Sequence, residues 1–293
     1  MSPVAREVPL DRRVPRWAAA LVARLAQDRP STLTRGDIAG YLDGIGSSRE
    51  IDTTVRDLVR LGWLVSSHLH GVWSFVPPGE SVIVDPYLDL RAWRAKDPDL
   101  VYALAGEAAA WHLGYLDRRF DGPVSIWLPQ GVRPPPGIRP FVKVLALDWG
   151  QAAEGDLGPS RALLRRRRLD LTAWANGVHA FGPEALLVQL AARPASFLPW
   201  ADLVAHLGNL ADDCEPDRLR ALLADQSASA WQRAAYLLHI GGSTQHARDV
   251  LAARPFGRLV HASLGSRPRG EHSREFGVTD HLVAPLLSRI GKG

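Results

Sequence analysis

Residues 47–62 read SSREIDTTVRDLVRLG, and residues 63–75 continue as WLVSSHLHGVWSF. The first part predicts a helix, because Ser47 is a favourable N-cap and Glu50 stands where a capping box places its acidic residue. Apolar residues follow at helical spacing and share one face at about 100° per residue: Ile51, Val55, Leu58 and Val59. The helix is therefore expected to bury this face and expose the opposite one.

The opposite face is basic. Arg49, Thr53, Arg56 and Arg60 are spaced by four, three and four positions, so they fall within about 40° of one another on a helical wheel. A narrow arginine ridge suits insertion into the major groove, where guanidinium groups pair with guanine edges and phosphates. For this helix alone, an ordinary solvated face that happens to be arginine-rich is the alternative.

The neighbouring segments favour the groove-binding interpretation. Val14 to Gln27 predicts a first helix, and Thr34 with Asp37 caps a short second one. After Gly62, the residues 64–67 and 72–76 predict a β-hairpin. Helix, helix, helix and hairpin in this order predict a winged helix-turn-helix with the third helix in the major groove. The expected DNA contacts are Arg35, Ser48, Arg49, Thr53, Arg56, Arg60, His68 and His70, although the two wing histidines also fit ordinary polar turn residues.

Composition sets broad limits on the class of protein. The chain of 293 residues is long enough for two domains, and its formal net charge of +4 is too small to indicate nucleic acid by itself. Cys214 is the only cysteine, which excludes an intrachain disulfide. Neither a signal peptide nor a membrane-spanning apolar run is visible, so we expect a cytoplasmic protein without membrane contact.

The rest of the chain predicts a second, larger domain. Pro77 to Glu80 is a credible junction, which gives domains at 1–80 and 81–293. Strands are expected mainly over 82–181, including 124–128, 141–147 and a hairpin about Asn176-Gly177, with one helix over 97–115. Helices are expected mainly over 182–293, the last running from Thr279 to Ile290. The fold class is therefore α+β: a winged helix-turn-helix followed by a mixed α/β, mostly helical C-terminal domain.

The search for further chemistry finds one basic run and no catalytic pattern. Arg165, Arg166, Arg167 and Arg168 could extend a phosphate-binding surface, and a solvated loop is the alternative. The histidines do not follow a metal-binding spacing, and phosphate loops, nucleophile elbows and nuclease motifs are missing. We therefore expect no metal site, no cofactor and no enzymatic activity.

Two parts of the chain resemble the AbiEi family, the antitoxin and transcriptional regulator of type IV toxin–antitoxin systems. The first is Leu61-Gly62-Trp63-Leu64 followed by Gly71-Val72-Trp73. The second comprises the segments beginning at Phe181 and Trp231, read FGPEALLVQLAARP and WQRAAYLLHIGG. The combination is similar to actinobacterial, especially mycobacterial, members of the family.

The resemblance implies a role as well as a fold. Such proteins repress their own promoter by binding inverted repeats in double-stranded DNA, and they oppose a nucleotidyltransferase-type toxin, without a stable complex. Two alternatives stay open. The C-terminal domain would be an interaction module that acts on the toxin or its substrate, or the chain would be a nucleic-acid-processing enzyme.

Overall fold

The computed structural model describes residues 12–81, 83, 85–100, 102–128, 132–146, 172–173, 178–224, 226–266 and 270–290. Three helices come first, α1 (Ala19–Asp28), α2 (Arg35–Gly44) and α3 (Ile51–Arg60), and a 3₁₀ turn at Arg16–Ala18 leads into α1. The strands β1 (Leu33–Thr34), β2 (Leu64–Ser66) and β3 (Val72–Phe75) form an antiparallel sheet in the order β1-β3-β2. The order of the three helices and the β2–β3 hairpin agrees with the sequence prediction, whereas β1 was not predicted.

Local sequence explains the first two helices. Arg29 at the end of α1 has a left-handed backbone with φ of 45°, which stops the helix just before Pro30. The capping box at α2 is confirmed. Asp37 N–H donates to the Thr34 hydroxyl at 3.2 Å, and Thr34 N–H donates to the Asp37 carboxylate at 2.7 Å. Leu21, Ile38, Leu58 and Phe75 are among the residues of the apolar core between these helices and the sheet.

The third helix starts later than predicted. Glu50, not Ser47, occupies the N-cap position of α3, and it makes no side-chain cap. The capping box predicted at Ser47 and Glu50 is therefore wrong, since the Glu50 carboxylate accepts instead from the Thr53 hydroxyl. Ile51, Val55 and Leu58 pack inward as expected, whereas Val59 is partly exposed.

A mixed sheet follows the N-terminal region. It contains β4 (Ala103–Leu104), β5 (Val124–Leu128), β6 (Val142–Ala146), β7 (Thr172–Ala173) and β8 (His179–Ala180), in the order β6-β5-β4-β8-β7. The β7–β8 pair is antiparallel, as the predicted hairpin requires. The predicted helix over 97–115 is confirmed only in its second half, which contains α5 (Gly106–His112); β4 lies in the first half, after α4 (Leu88–Lys96). The predicted strand at 82–84 lies largely outside the described residues.

Most of the remaining chain is helical. The helices are α6 (Pro183–Ala192), α7 (Trp200–Leu203), α8 (Leu207–Asp213), α9 (Pro216–Leu223), α10 (Ala228–Ile240), α11 (Thr244–Ala252) and α12 (Ala284–Ile290). Pro183 and Pro216 each occupy a first helical position, as predicted.

The C-terminal region also contains a small sheet that the sequence did not predict. Its strands β9 (Ala262–Leu264), β10 (Glu271–Ser273) and β11 (Val278–Asp280) are arranged in the order β10-β11-β9. The last helix is shorter than predicted because residues 278–280 belong to β11. Within the residues that the structure describes, helices lack the length and hydropathy that a bilayer crossing requires.

Candidate nucleic-acid interface

The exposed face of α3 carries three of the residues that the sequence predicts as DNA contacts, Thr53, Arg56 and Arg60. Arg56 is exposed and, within the described part of the chain, makes no ion pair. Arg60 has a side chain that is 75% exposed, and its guanidinium lies 3.0 Å from an Asp57 carboxylate oxygen. Thr53 lies on the same side of the helix, half-buried through its bond to Glu50. These side chains point away from the buried apolar stripe, as the helical spacing predicted.

Two further predicted contacts flank this face. Arg35 opens α2 and forms an ion pair of 3.1 Å with Asp52 on the first turn of α3. Both side chains are largely exposed, so the pair contributes little stability and can exchange for a phosphate. Ser48 is exposed in the loop before α3. Arg35 and Ser48 therefore lie around the N-terminal end of the helix.

Arg49 departs from the predicted ridge. It precedes the first residue of α3, and its guanidinium stacks on the Trp17 ring at 3.7 Å from the ring centroid. It also forms an ion pair with Asp57, and only 28% of its side chain is exposed. These contacts tie α1, the loop before α3 and α3 together, so Arg49 holds the helix in place rather than extending its exposed face.

The two histidines at the hairpin tip lie in different environments. His70 is exposed, as predicted. His68 instead faces the rest of the chain: its Nδ1 atom lies 2.8 Å from the Asp89 carboxylate, and its ring stacks on Phe141 at 3.9 Å between centroids. His68 was expected among the DNA contacts, and its ring is instead engaged by Asp89 and Phe141.

Apolar contacts reinforce this attachment of the hairpin. Leu69 and Val72 are buried in one cluster with Tyr87, Leu90 and Ile126 from the following elements. A hairpin whose inner residues are buried against α4 and β5 is fixed on one side. The opposite side of the hairpin, which carries the exposed His70, is the side that an external partner could contact.

Arg12 has a structural role. Its guanidinium donates to the carbonyl oxygens of Gly62, Val76, Pro77 and Glu80 at 2.6–2.9 Å, and it stacks on the Trp63 ring. Burial lowers the pKa of Arg12, and the nearby Glu80 charge partly offsets that effect. The four carbonyls engage both terminal nitrogens of this guanidinium. Arg12 thus joins the segment before β2, at Gly62, to the segment after β3, from Val76 to Glu80.

The electrostatic balance of the face is modest. Arg35, Arg49, Arg56 and Arg60 are accompanied by Glu50, Asp52 and Asp57, a local net charge of +1. The predicted accessory run from Arg165 to Arg168 lies outside the described residues. Among the residues that the structure covers, no group of three or more histidine, cysteine or acidic side chains could hold a metal ion.

Comparisons with known proteins find one matching family model and a similar crystal structure. Residues 102–240 match the family model described as the AbiEi antitoxin C-terminal domain. The crystal structure of the RV2827C protein from Mycobacterium tuberculosis is similar, with 46% sequence identity and a TM-score of 0.79. That similarity covers 99% of this chain and 98% of the mycobacterial chain. A search of curated proteins finds no match.

Proposed function

Because the chain belongs to the AbiEi antitoxin family, we propose that it is a DNA-binding transcriptional repressor that acts as the antitoxin of a type IV toxin–antitoxin pair. An antitoxin implies a toxin partner. In this proposal the protein binds inverted repeats in its own promoter, as the sequence resemblance led us to expect. It works in the cytoplasm, where its double-stranded DNA is found.

The observation that carries this proposal is the exposed face of α3. The proposed contacts are Arg35, Ser48, Thr53, Arg56, Arg60 and His70, and the helices before α3 with the hairpin after it form the proposed winged helix-turn-helix. Arg49 and His68 are left out, since intramolecular contacts occupy them. We assign residues 1–80 to this unit and residues 81–293 to a C-terminal domain.

The local charge pattern suggests how DNA would engage the face. Among the described residues, Arg56 has no carboxylate partner, whereas Arg60 must exchange its contact with Asp57 for one with a phosphate or a base edge. Exposed ion pairs contribute only about 0–1 kcal/mol, so this exchange costs little. Asp57 remains paired with Arg49 after the exchange and would not be left as an isolated charge. The carboxylates around the arginines also weaken sequence-independent attraction, which favours binding that depends on base contacts.

Footprinting of the purified full-length chain on DNA upstream of its own gene tests the proposal. We expect a protected inverted repeat whose half-sites lie about one helical turn apart, because two copies related by a twofold axis would each insert one α3. Competition with unrelated DNA of equal length is the control. Equal affinity for both DNAs, without a protected repeat, would remove the repressor assignment.

A second candidate function is favoured by the position of the family match. Residues 102–240 lie outside α3, so antitoxin action would reside in a C-terminal interaction module that opposes a nucleotidyltransferase-type toxin or its substrate. The full-length Arg56→Ala/Arg60→Ala variant separates the two roles. If the module acts by itself, the variant loses operator binding but still rescues growth against the neighbouring toxin.

Two further measurements complete this proposal. Co-purification of the antitoxin with its toxin should fail, because we propose opposition without a stable complex. The AbiEi antitoxin family is not an enzyme family, and we propose that this chain has no enzymatic activity. Incubation with labelled DNA and RNA in the presence of Mg²⁺ should leave both substrates intact. A metal-dependent product would revive the enzyme alternative.

A further inference from the structure

The segment of residues 12–17, which precedes α1, lies beside the C-terminal half of α3. At its first end, the Arg12 guanidinium donates to the Gly62 carbonyl oxygen at 2.7 Å. The Trp63 indole N–H donates to the Arg13 carbonyl oxygen at 3.1 Å. Residues 62 and 63 come shortly after the last residue of α3. The 12–17 segment therefore starts at the C-terminal end of that helix.

Side-chain contacts connect the other end of the segment to the second turn of α3. The Arg49 guanidinium carbon lies 3.7 Å from the centroid of the Trp17 ring, and this guanidinium pairs with the Asp57 carboxylate. Arg60 contacts the second oxygen of that carboxylate at 3.0 Å. These contacts form a continuous path from the 12–17 segment to the exposed face of α3.

The backbone of this segment is held in one conformation. Pro15 is extended, with φ of −63° and ψ of 149°, and its ring restricts φ to values near this one. The Ala18 N–H donates to the Pro15 carbonyl oxygen at 2.9 Å, which begins the turn that leads into α1. A segment fixed at both ends and stiffened by proline loses little conformational freedom when a partner binds it.

Two arginines in this segment are exposed and unpaired. Within the described residues, the side chains of Arg13 and Arg16 contact no carboxylate, aromatic ring or hydrogen-bond acceptor. Arg12 and Trp17, at the two ends of the segment, are instead engaged by intramolecular contacts. The two unpaired guanidinium groups raise the local net charge at α3 from +1 to +3. They are therefore available to an anionic partner.

The segment and Arg35 lie on opposite flanks of the exposed face. On the helical wheel of α3, Asp57 is about 100° to one side of Arg56, whereas Asp52, the partner of Arg35, is about 40° to the other side. A major groove about 12 Å wide has a phosphate backbone along each edge. With the exposed face of α3 in the groove, Arg35 lies towards one backbone and the 12–17 segment towards the other.

We propose that Arg13 and Arg16 bind DNA phosphates at the edge of the groove opposite Arg35. Arginine suits this role because its planar guanidinium donates in pairs to phosphate oxygens. The role rests on the proposed DNA-binding function and deepens it, since phosphate contacts position a protein on the duplex whereas base contacts specify the site. The two arginines therefore strengthen binding to operator and to unrelated DNA by the same factor.

Fluorescence anisotropy of the full-length chain tests these contacts with two labelled duplexes of equal length, one from upstream of the gene and one of unrelated sequence. Each is measured over a series of salt concentrations. The Arg13→Gln/Arg16→Gln variant removes both charges. It should fold normally, with the wild-type urea midpoint, because Trp63 bonds to the carbonyl oxygen of Arg13 and not to its side chain. Arg248→Gln, which removes an exposed arginine on α11, is the matched control.

We expect the double glutamine variant to lower the slope of log K against log salt by about two, since each lost phosphate contact lowers it by about 0.9. At moderate salt its affinity should fall roughly ten-fold or more, and by the same factor for both duplexes. Arg13→Lys/Arg16→Lys keeps both charges and should retain the wild-type slope. Arg248→Gln should also behave like the wild-type chain.

The other outcomes separate this role from the proposed function. A wild-type slope in the glutamine variant overturns the phosphate contacts and leaves the assignment of α3 intact. The contacts are also overturned if the loss is confined to the upstream duplex, which indicates a base contact, or if Arg248→Gln lowers the slope equally. A wild-type chain that binds neither duplex removes the proposed DNA-binding function together with these contacts.

Discussion

At the scale of single residues, Asp280 is the clearest case of a buried polar group with a complete set of partners. Its carboxylate accepts from the backbone N–H groups of Leu282, Val283 and Ala284 at 2.7–2.8 Å and from the Tyr236 hydroxyl at 3.1 Å. The side chain is fully buried. It therefore anchors the start of α12 to α10 through charge-assisted hydrogen bonds.

Asp280→Ala should lower the free energy of unfolding by about 3 kcal/mol or more, because it leaves three backbone donors and one hydroxyl unsatisfied. Urea denaturation followed by circular dichroism measures this change. Asp217→Ala is the matched control, since its carboxylate is exposed and pairs with Arg220 on the same helix. It should change stability by less than about 1 kcal/mol. Equal effects of the two substitutions would contradict the anchoring role of Asp280.

Residue-scale sequence patterns predicted local contacts and missed distant ones. The capping pattern at Thr34 and Asp37 forms as expected because both partners lie within one turn. The similar pattern at Ser47 and Glu50 does not form, since Arg49 between them is held by Trp17 and Asp57. Spacing along the chain contains no information about an aromatic ring thirty residues earlier.

At the scale of elements, the hairpin of β2 and β3 is fixed by its contacts with the following elements. Gly137 illustrates how closely they approach: a Cβ atom at this position would overlap the His68 carbonyl oxygen. Only glycine lets the backbone of residue 137 lie against the hairpin, next to the stacked rings of His68 and Phe141. The packing of the hairpin against this segment thus requires glycine at position 137.

Gly137→Ala should displace the hairpin and cost about 1–3 kcal/mol, the range observed for overpacked sites. Hydrogen exchange measured by mass spectrometry should increase over residues 64–75. Gly257→Ala is the control, because in the part of the chain that the structure describes no atom beyond its chain neighbours lies within 4 Å of its added Cβ. Unchanged exchange in Gly137→Ala would show that the hairpin does not require this close approach.

Element prediction failed where strand pairing was nonlocal. The alanine-rich stretch after Leu100 has a helical composition, yet Ala103 and Leu104 form a strand between β5 and β8. Its partners are about 20 and 75 residues away, and burial between them outweighs the local helix propensity of alanine. The β5 strand was predictable, because four of its five residues are apolar and include the β-prone Val124, Ile126 and Trp127.

At the scale of the whole molecule, burial of tyrosine hydroxyls predicts loss of stability at alkaline pH. Burial raises the pKa of Tyr102 to about 12 and that of Tyr87, Tyr115 and Tyr236 above its ordinary range, while a hydrogen bond to Asp213 adds to the effect at Tyr115. The folded chain retains these protons at a pH where the unfolded chain releases them. Their stabilisation is complete below pH 10, the ordinary tyrosine pKa, and is lost as the pH rises through the folded-state values.

Spectrophotometric titration at 295 nm checks this prediction. Between about pH 10 and 12, tyrosinate absorbance should stay well below that of the urea-unfolded chain. The free energy of unfolding should fall by up to about 1.4 kcal/mol per pH unit for each such tyrosine. Normal titration of all tyrosines near pH 10 in the folded chain would contradict their burial.

The whole-molecule arrangement was the least predictable from the sequence. The order of helices, hairpin and mixed C-terminal region followed from periodicity, turn residues and proline positions. The attachment of the hairpin did not, because the partners of Leu69 and Val72 lie in elements that periodicity cannot connect to them. For the same reason, the proposed DNA-binding face contains fewer residues than the sequence predicted. Tertiary contacts engage Arg49 and His68, whereas Arg56 and Arg60 are exposed.

Fluorescence anisotropy with labelled DNA from upstream of the gene tests the central claim most directly. Arg56→Ala and Arg60→Ala should each weaken binding by roughly 1–3 kcal/mol if the arginine reads a base edge, or lower the salt dependence by about one unit if it contacts phosphate. Arg248→Ala, on an exposed surface of α11, should bind like the wild-type chain. Unchanged affinity and salt dependence in both α3 variants would contradict the assignment of α3 as the recognition helix.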